Sequence, residues 1–212
     1  MNNHINSISK LINSKENQAE IKFILKDFII QNISNLDCKV HPLGFYVFNL
    51  GKTEDGVIIR LHIWDRTLQK QNSELEIHNH IFNMTSLILV GSLINENYEI
   101  KEVDRGRGFL YEVNYVENNS VLKKVKNNIF LKLTDSKKIL TNEFYSLNES
   151  IFHNTFTEEN YVATILRTEI SKNKSPLLYS KIDFNELNLE FERETIDNKK
   201  KENLLNHLIN II

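Results

Sequence analysis

The stretch Ile77-His78-Asn79-His80, followed by Met84-Thr85-Ser86-Leu87-Ile88-Leu89-Val90 and then Gly91, decides how this chain is read. The run from Met84 to Val90 is apolar and of strand length, and the glycine after it supplies a turn. Side chains of an extended segment alternate between faces, so His78 and His80 project to the same side and their imidazoles can reach one ion together. A third isolated histidine, His153, ends Tyr145-Ser146-Leu147-Asn148-Glu149-Ser150-Ile151-Phe152-His153, a second β-like region far downstream. Two ligands from one strand and a third from a distant one build a metal site with open positions inside a β-barrel.

Working outward, His41-Pro42-Leu43-Gly44 opens a β-rich region, with strands predicted over Phe45–Leu50 and Val57–Trp64 and a turn over Gly51–Gly56 between them. The second strand has two unlike faces: Val57, Ile59, Leu61 and Ile63 are wholly apolar, whereas Ile58, Arg60, His62 and Trp64 are mixed. Thr67–Glu74 reads as a polar loop leading into the histidines. Beyond Gly91, Ser92–Ile100 is predicted as the next strand of a meander, Asp104–Gly108 as a turn, and Phe109–Val116 as a strand pairing back. Val121–Leu133 is predicted to hold short strands, and Tyr161–Thr168 to close the barrel.

The flanks carry helical periodicity. Ile8, Leu11 and Ile12, then Ile21, Ile24, Leu25, Phe28 and Ile29, mark two helices interrupted at Ser14-Lys15-Glu16-Asn17, with Ser14 the expected N-cap of the second. Ser175-Pro176 marks a break, and Ile196–Ile212 is an amphipathic terminal helix. The expected organisation is one domain: a helical flank over 1–39, a barrel over 40–171 and a helical flank over 172–212. The flanks are expected to pack outside the barrel or to form a homodimer contact.

Charge and cysteine content narrow the function classes. With 26 basic and 28 acidic residues the formal charge is −2, which offers no nucleic-acid footprint. The lysines of Lys199–Lys201 and of Lys123–Lys138 alternate with acids and asparagines and read as solvated faces. The single cysteine, Cys38, forms no intrachain disulfide, which points to a reducing compartment. No run approaches the length of a membrane span, and the first residues have no basic–apolar leader pattern, so a cytoplasmic protein without membrane contact is expected.

The histidine spacing resembles the cupin superfamily, whose first motif is H-x-H, three or four residues, an acidic ligand, six residues and glycine. Here His78-Asn79-His80 is followed by Met84 at the acidic position and by Gly91, and His153 matches the lone histidine of the second motif. The pattern is most similar to the cysteine dioxygenase type, which also lacks the acid and holds iron with three histidines. Val57–Leu93 and Tyr145–His153 echo that type; Phe45–Leu50 has no arginine to match its carboxylate-gripping one. The resemblance implies a jelly-roll (double-stranded β-helix) barrel, mainly β, holding a metal on His78, His80 and His153. It implies a non-haem iron dioxygenase acting with O₂ on a small thiol or other chelating metabolite.

The residues themselves leave alternatives open. Three neutral imidazoles suit Fe(II) with a bidentate substrate and O₂, and equally suit Zn(II) with a polarised water or Ni(II) in an isomerase, lyase or hydrolase. A binding barrel with no catalysis is the third reading. Arg60 is the candidate to bind an anionic substrate group, because a planar guanidinium clamps a carboxylate with two donors. His62, on the same strand face, is the candidate second catalytic residue. Whether either faces inward turns on strand parity, which a one-residue bulge reverses. Met84 reads as packing, Cys38 as a buried side chain, and His41 as a residue shaping the barrel mouth.

Overall fold

The computed structural model describes residues 2–68, 73–117, 119–170, 175–184 and 189–212. Part of the expected Thr67–Glu74 loop, and the expected boundary at 171/172, lie outside the described residues. Two helices open the chain, α1 (Asn2–Ser14) and α2 (Gln18–Asn32). The expected break between them is present, but its cap differs. Asn17, in left-handed backbone, accepts from the Glu20 N–H, while the Ser14 hydroxyl instead donates back to the Leu11 carbonyl at 3.2 Å. An asparagine tolerates left-handed backbone and bonds its own following turn, so it takes the cap.

The strands are β1 (Cys38–His41), β2 (Phe45–Lys52), β3 (Ile58–Asp65), β4 (Phe82–Val90), β5 (Ser92–Glu102) and β6 (Gly108–Val116). They continue with β7 (Asn119–Leu140), β8 (Phe144–Leu147), β9 (Phe152–Phe156), β10 (Tyr161–Ile170), β11 (Leu177–Ser180) and β12 (Leu189–Glu192), and α3 (Asn198–Ile211) ends the chain. One sheet runs β1-β2-β3-β10-β4-β8; the other runs β11-β6-β7-β5-β9, with β12 also on β7. Each of these strand pairs is antiparallel. Strands distant in sequence are neighbours in space: β10 lies between β3 and β4, and β9 pairs with β5. Two antiparallel sheets connected in this way, with helices outside, form a jelly-roll barrel.

The largest core lies outside that barrel. Ile5, Ile8 and Ile12 of α1, Ile21, Leu25 and Phe28 of α2, and Leu204, Leu205 and Leu208 of α3 pack against Phe48, Ile59, Leu61, Ile63, Leu87, Leu89 and Ile165 of the first sheet. Fully burying one such side chain stabilises by about 1.5–3 kcal/mol, and nearly all of these are wholly inaccessible. The helices thus consume the apolar face of β3 and leave its mixed face for the interior. Among the described residues no helix is long and apolar enough to cross a membrane.

Three expectations are corrected. The strand Phe109–Val116 does not pair back on Ser92–Ile100. β7 takes β5 along Ile129–Leu140 and β6 along Asn119–Ile129, so β5 and β6 run in the same direction and the Asp104–Gly108 segment does not reverse the chain. In place of short strands over Val121–Leu133 there is one strand of 22 residues, its polarity explained by long exposed stretches. The 172–212 segment is not purely helical: β11 and β12 pair with β6 and β7. At the other boundary, β1 begins at Cys38, where the thiol is buried and pushed up to about 12 by desolvation.

Gly91 is where the chain leaves one sheet for the other, since β4 and β5 belong to different sheets. Its φ is +77°, and an added Cβ would lie 2.8 Å from Glu159 Oε2 and 2.9 Å from both the Tyr161 carbonyl oxygen and Val162 Cγ2. We expect Gly91→Ala to lose about 1–3 kcal/mol in urea unfolding, from positive-φ strain plus the clash. A loss under about 0.5 kcal/mol, the scatter of ordinary surface changes, would contradict this.

Candidate metal centre

Backbone hydrogen bonds bring the three histidines together. The Ile77–Asn79 segment threads between β9 and β11: His78 N–H donates to the His153 carbonyl at 3.0 Å and His153 N–H returns to the His78 carbonyl at 2.8 Å. On the other side Asn79 N–H donates to the Leu177 carbonyl at 3.0 Å, and Tyr179 N–H to that of Ile77 at 2.8 Å. Asn79 turns away from the histidines and accepts from Leu177 N–H at 2.7 Å through its side chain. His80, just before β4, has its carbonyl bound by Ser150 N–H at 3.0 Å. The alternation read from the sequence therefore holds, with His78 and His80 on one side and Asn79 on the other, although 77–81 is not a regular strand.

The three imidazoles form a nearly equilateral triangle, with ring centroids 4.6, 4.8 and 4.9 Å apart. Their ligand atoms all lie within 4.8 Å of one another, and the Nε2 atoms of His80 and His153 are 3.0 Å apart. Supporting groups orient two of the rings. The Nδ1–H of His78 donates to the Glu76 carbonyl at 2.8 Å. The Nδ1 of His153 lies 3.1 Å from both Asn95 Oδ1 and Thr155 Oγ1; the Thr155 hydroxyl donates to Asn95 Oδ1, and Asn95 Nδ2 donates to Asn97 Oδ1 at 2.9 Å. That Asn95 bond directs the carbonyl oxygen at His153, so Nδ1 carries the proton and Nε2 keeps its lone pair for the centre. His80 stacks on Phe82 at 4.5 Å.

Burial holds all three rings neutral. Desolvation is the leading cause in each case, lowering His78 below the usual imidazole range and His80 and His153 well below it. Neutral nitrogen donors without a carboxylate in the group fit a transition-metal ion such as iron, zinc or nickel, and fit calcium or magnesium poorly. Met84, at the place of the acid in the resembled motif, is buried in β4 on the cavity wall.

Asn95 is a sensitive support of this centre. We expect Asn95→Ala to weaken metal binding about 10–100-fold, read by competition against a chromophoric chelator, with Asn95→Asp retaining it because the acceptor is kept. Equal affinity in Asn95→Ala and the parent would contradict a positioning role.

The triad sits on the wall of a cavity of about 400 Å³ that also takes in Arg60, His62, Trp64 and Tyr145. The parity of β3 thus puts Arg60 and His62 inside. Arg60 donates from Nη1 to Thr168 Oγ1 at 2.8 Å and lies 5.5 Å over the Phe82 ring, the ring that also stacks on His80. His62 is held to about 3 by burial first and the Arg60 charge second, and packs against Phe45 and Trp64 at 4.9 and 5.7 Å. Other polar residues of these strands point elsewhere. Tyr46 is in the helix-side core, Tyr98 bonds Glu96, and Arg167 donates to Ser9 of α1 and pairs with Glu169.

His41, read from the sequence as shaping the barrel mouth, stacks on Phe45 at 4.4 Å and lines the cavity, whereas Arg193, which lines it from the segment after β12, escaped the sequence reading. His41 carried a hint in its place beside the first strand pair. Arg193 carried none, because its segment reads as a polar connection to the last helix.

No family model matches the sequence, and no curated protein matches it either. Solved structures do. One titled for the DMSP lyases RdDddP and RnDddQII aligns at 9% identity and TM-score 0.36, covering 62% of this chain and 51% of that one. Another, of procruciferin, the 11S globulin of Brassica napus, aligns at 9% identity and TM-score 0.37, covering 83% of this chain and 48% of that one. The chain therefore matches about half the length of each. What stands from the molecule itself is a jelly-roll barrel whose interior presents a three-histidine group able to hold a metal ion.

Proposed function

We propose that this chain is a cupin-type metalloenzyme that holds Fe(II) on His78, His80 and His153 and acts as a dioxygenase on a small chelating metabolite, thiols among them. The observation that carries this reading is the convergence of three neutral imidazoles, with no carboxylate in the group, on one wall of a cavity large enough for a small organic molecule. Bound there, Fe(II) would keep its double charge and supply open positions for a bidentate substrate and O₂.

The chain's own residues do the rest. Arg60 keeps Nε–H and an Nη group beyond its bond to Thr168, and these can grip an anionic group and set the substrate's orientation. His62, at about 3, is too weakly basic to take a proton near neutrality, so its role is that of a neutral hydrogen-bonding wall. Phe45 and Trp64, stacked at 4.9 Å, give that side of the cavity an apolar wall. The second reading is a zinc or nickel enzyme of isomerase, lyase or hydrolase type. The same donor set favours it, because three histidines and a water are also a catalytic zinc arrangement.

The test is to load the metal-free protein with Fe(II) under anaerobic conditions, titrate with small thiols and hydroxy acids, and then admit oxygen. A saturable change in the Fe(II) spectrum followed by substrate-dependent O₂ uptake is expected. No spectral change with any chelating compound would sink the dioxygenase reading.

A further inference from the structure

Arg193 reaches the cavity from a short crossing between the two sheets. Glu192 pairs with Asn119 of β7, whereas Glu194 and Thr195 already bond β1: Val40 N–H donates to the Glu194 carbonyl at 2.8 Å, and Thr195 bridges Lys39. Arg193 is thereby pinned on both sides. Its Nε–H donates to Ser120 Oγ at 3.2 Å and its guanidinium lies 4.8 Å over the Tyr115 ring, which leaves both Nη groups for another acceptor. Arg60, on the opposite sheet, lines the same cavity and likewise has donors to spare. Among the described residues lining the cavity none is Asp or Glu, and neither guanidinium has a carboxylate partner. Two half-buried guanidiniums that face one cavity with no acid in its lining favour an anionic ligand over a neutral one, because each can offer charge-assisted hydrogen bonds that no neighbouring carboxylate takes up.

We propose that Arg60 and Arg193 form a two-point anion site and that the ligand is a small organic dianion with a flat apolar body. The body has its own surface: His41, Phe45 and Trp64 stack in succession, at 4.4 and 4.9 Å, along one cavity wall. This rests on the reading of the cavity as the substrate site and does not depend on which metal the histidines hold.

Trp64 is the chain's one tryptophan and lies on that wall, so its fluorescence reports occupancy directly. The experiment titrates metal-free protein with the three benzenedicarboxylate isomers and with benzoate at low salt. The second carboxylate adds a charge-assisted contact, so at least one isomer should bind about tenfold or more tighter than benzoate. Arg193→Gln should bring that isomer to within about threefold of benzoate, and Arg193→Lys should restore part of the preference. All three isomers binding no tighter than benzoate to the unsubstituted protein, or an unchanged preference in a folded Arg193→Gln, would overturn the proposal. Dianion preference in a protein that takes up no metal would leave this inference standing and remove the metalloenzyme, whereas metal uptake without the preference does the reverse.

Discussion

Acidifying the metal-free protein from pH 7 to pH 5 will lower its unfolding free energy by several kcal/mol, far more than its carboxylates account for. His62 is held to about 3, and His41 well below the imidazole range, in each case by burial first; Arg60 adds to the effect on His62 and Arg193 to that on His41. A histidine kept neutral in the folded state while its unfolded counterpart titrates near 6.5 gives stability that is complete above that pH. The stability is then lost as pH falls toward the folded value, because the unfolded chain binds the proton that the folded one refuses. Each such imidazole contributes a slope of about 1.4 kcal/mol per pH unit below 6.5, so His41 and His62 together give nearly 3.

Without metal, His80 and His153 act in the same direction, and the effect weighs against a total stability of roughly 5–15 kcal/mol for a domain. Asp27 and Asp55 are lowered by hydrogen bonds from His4 and Thr53, so what they contribute is lost only below pH 4, in a separate window. Urea midpoints measured from pH 7 to pH 5 will therefore fall steeply. Midpoints that stay level over that range would contradict the burial of neutral imidazoles.

The second large effect concerns His153. Replacing it by alanine removes one donor of three, and metal affinity should fall by well over the roughly 10–100-fold associated with a supporting residue such as Asn95. The same variant carries an internal control. His153 is buried, so its loss removes one proton from the linkage, and the acid slope of the metal-free protein should drop by about 1.4 kcal/mol per pH unit. Chelator competition reads the first quantity and urea titration the second. A variant that binds metal like the parent while showing the reduced slope would mean that His153 is buried and neutral but no ligand.

The three-histidine group able to hold a metal ion was legible because its signal is local and period-two: His78 and His80 flank Asn79, and the backbone and side-chain bonds of Asn79 to Leu177 of β11 hold that alternation even where the strand is irregular. The unlike faces of β3 were legible for the same reason, and the helices absorb Ile59, Leu61 and Ile63 as the pattern implies. Connectivity was less so. Nothing in Ser92–Val116 distinguishes a hairpin from two strands that run the same way on a shared partner, because that partner, β7, is polar and exposed over much of its length. β11 and β12 were missed because four-residue strands give too short a pattern to show a period, and Arg193 because its place is set by two pairings distant in sequence. Burial of a site by non-local contacts leaves little trace in the residues that supply it.

The most direct test of the account is metal content by elemental mass spectrometry. It compares untagged protein purified without chelators with a His78→Ala, His153→Ala double variant. The account predicts near-stoichiometric iron, or zinc or nickel under the second reading, in the parent and its loss in the double variant with the fold retained. A parent that holds no transition metal, even after anaerobic incubation with Fe(II) or Zn(II), would contradict it.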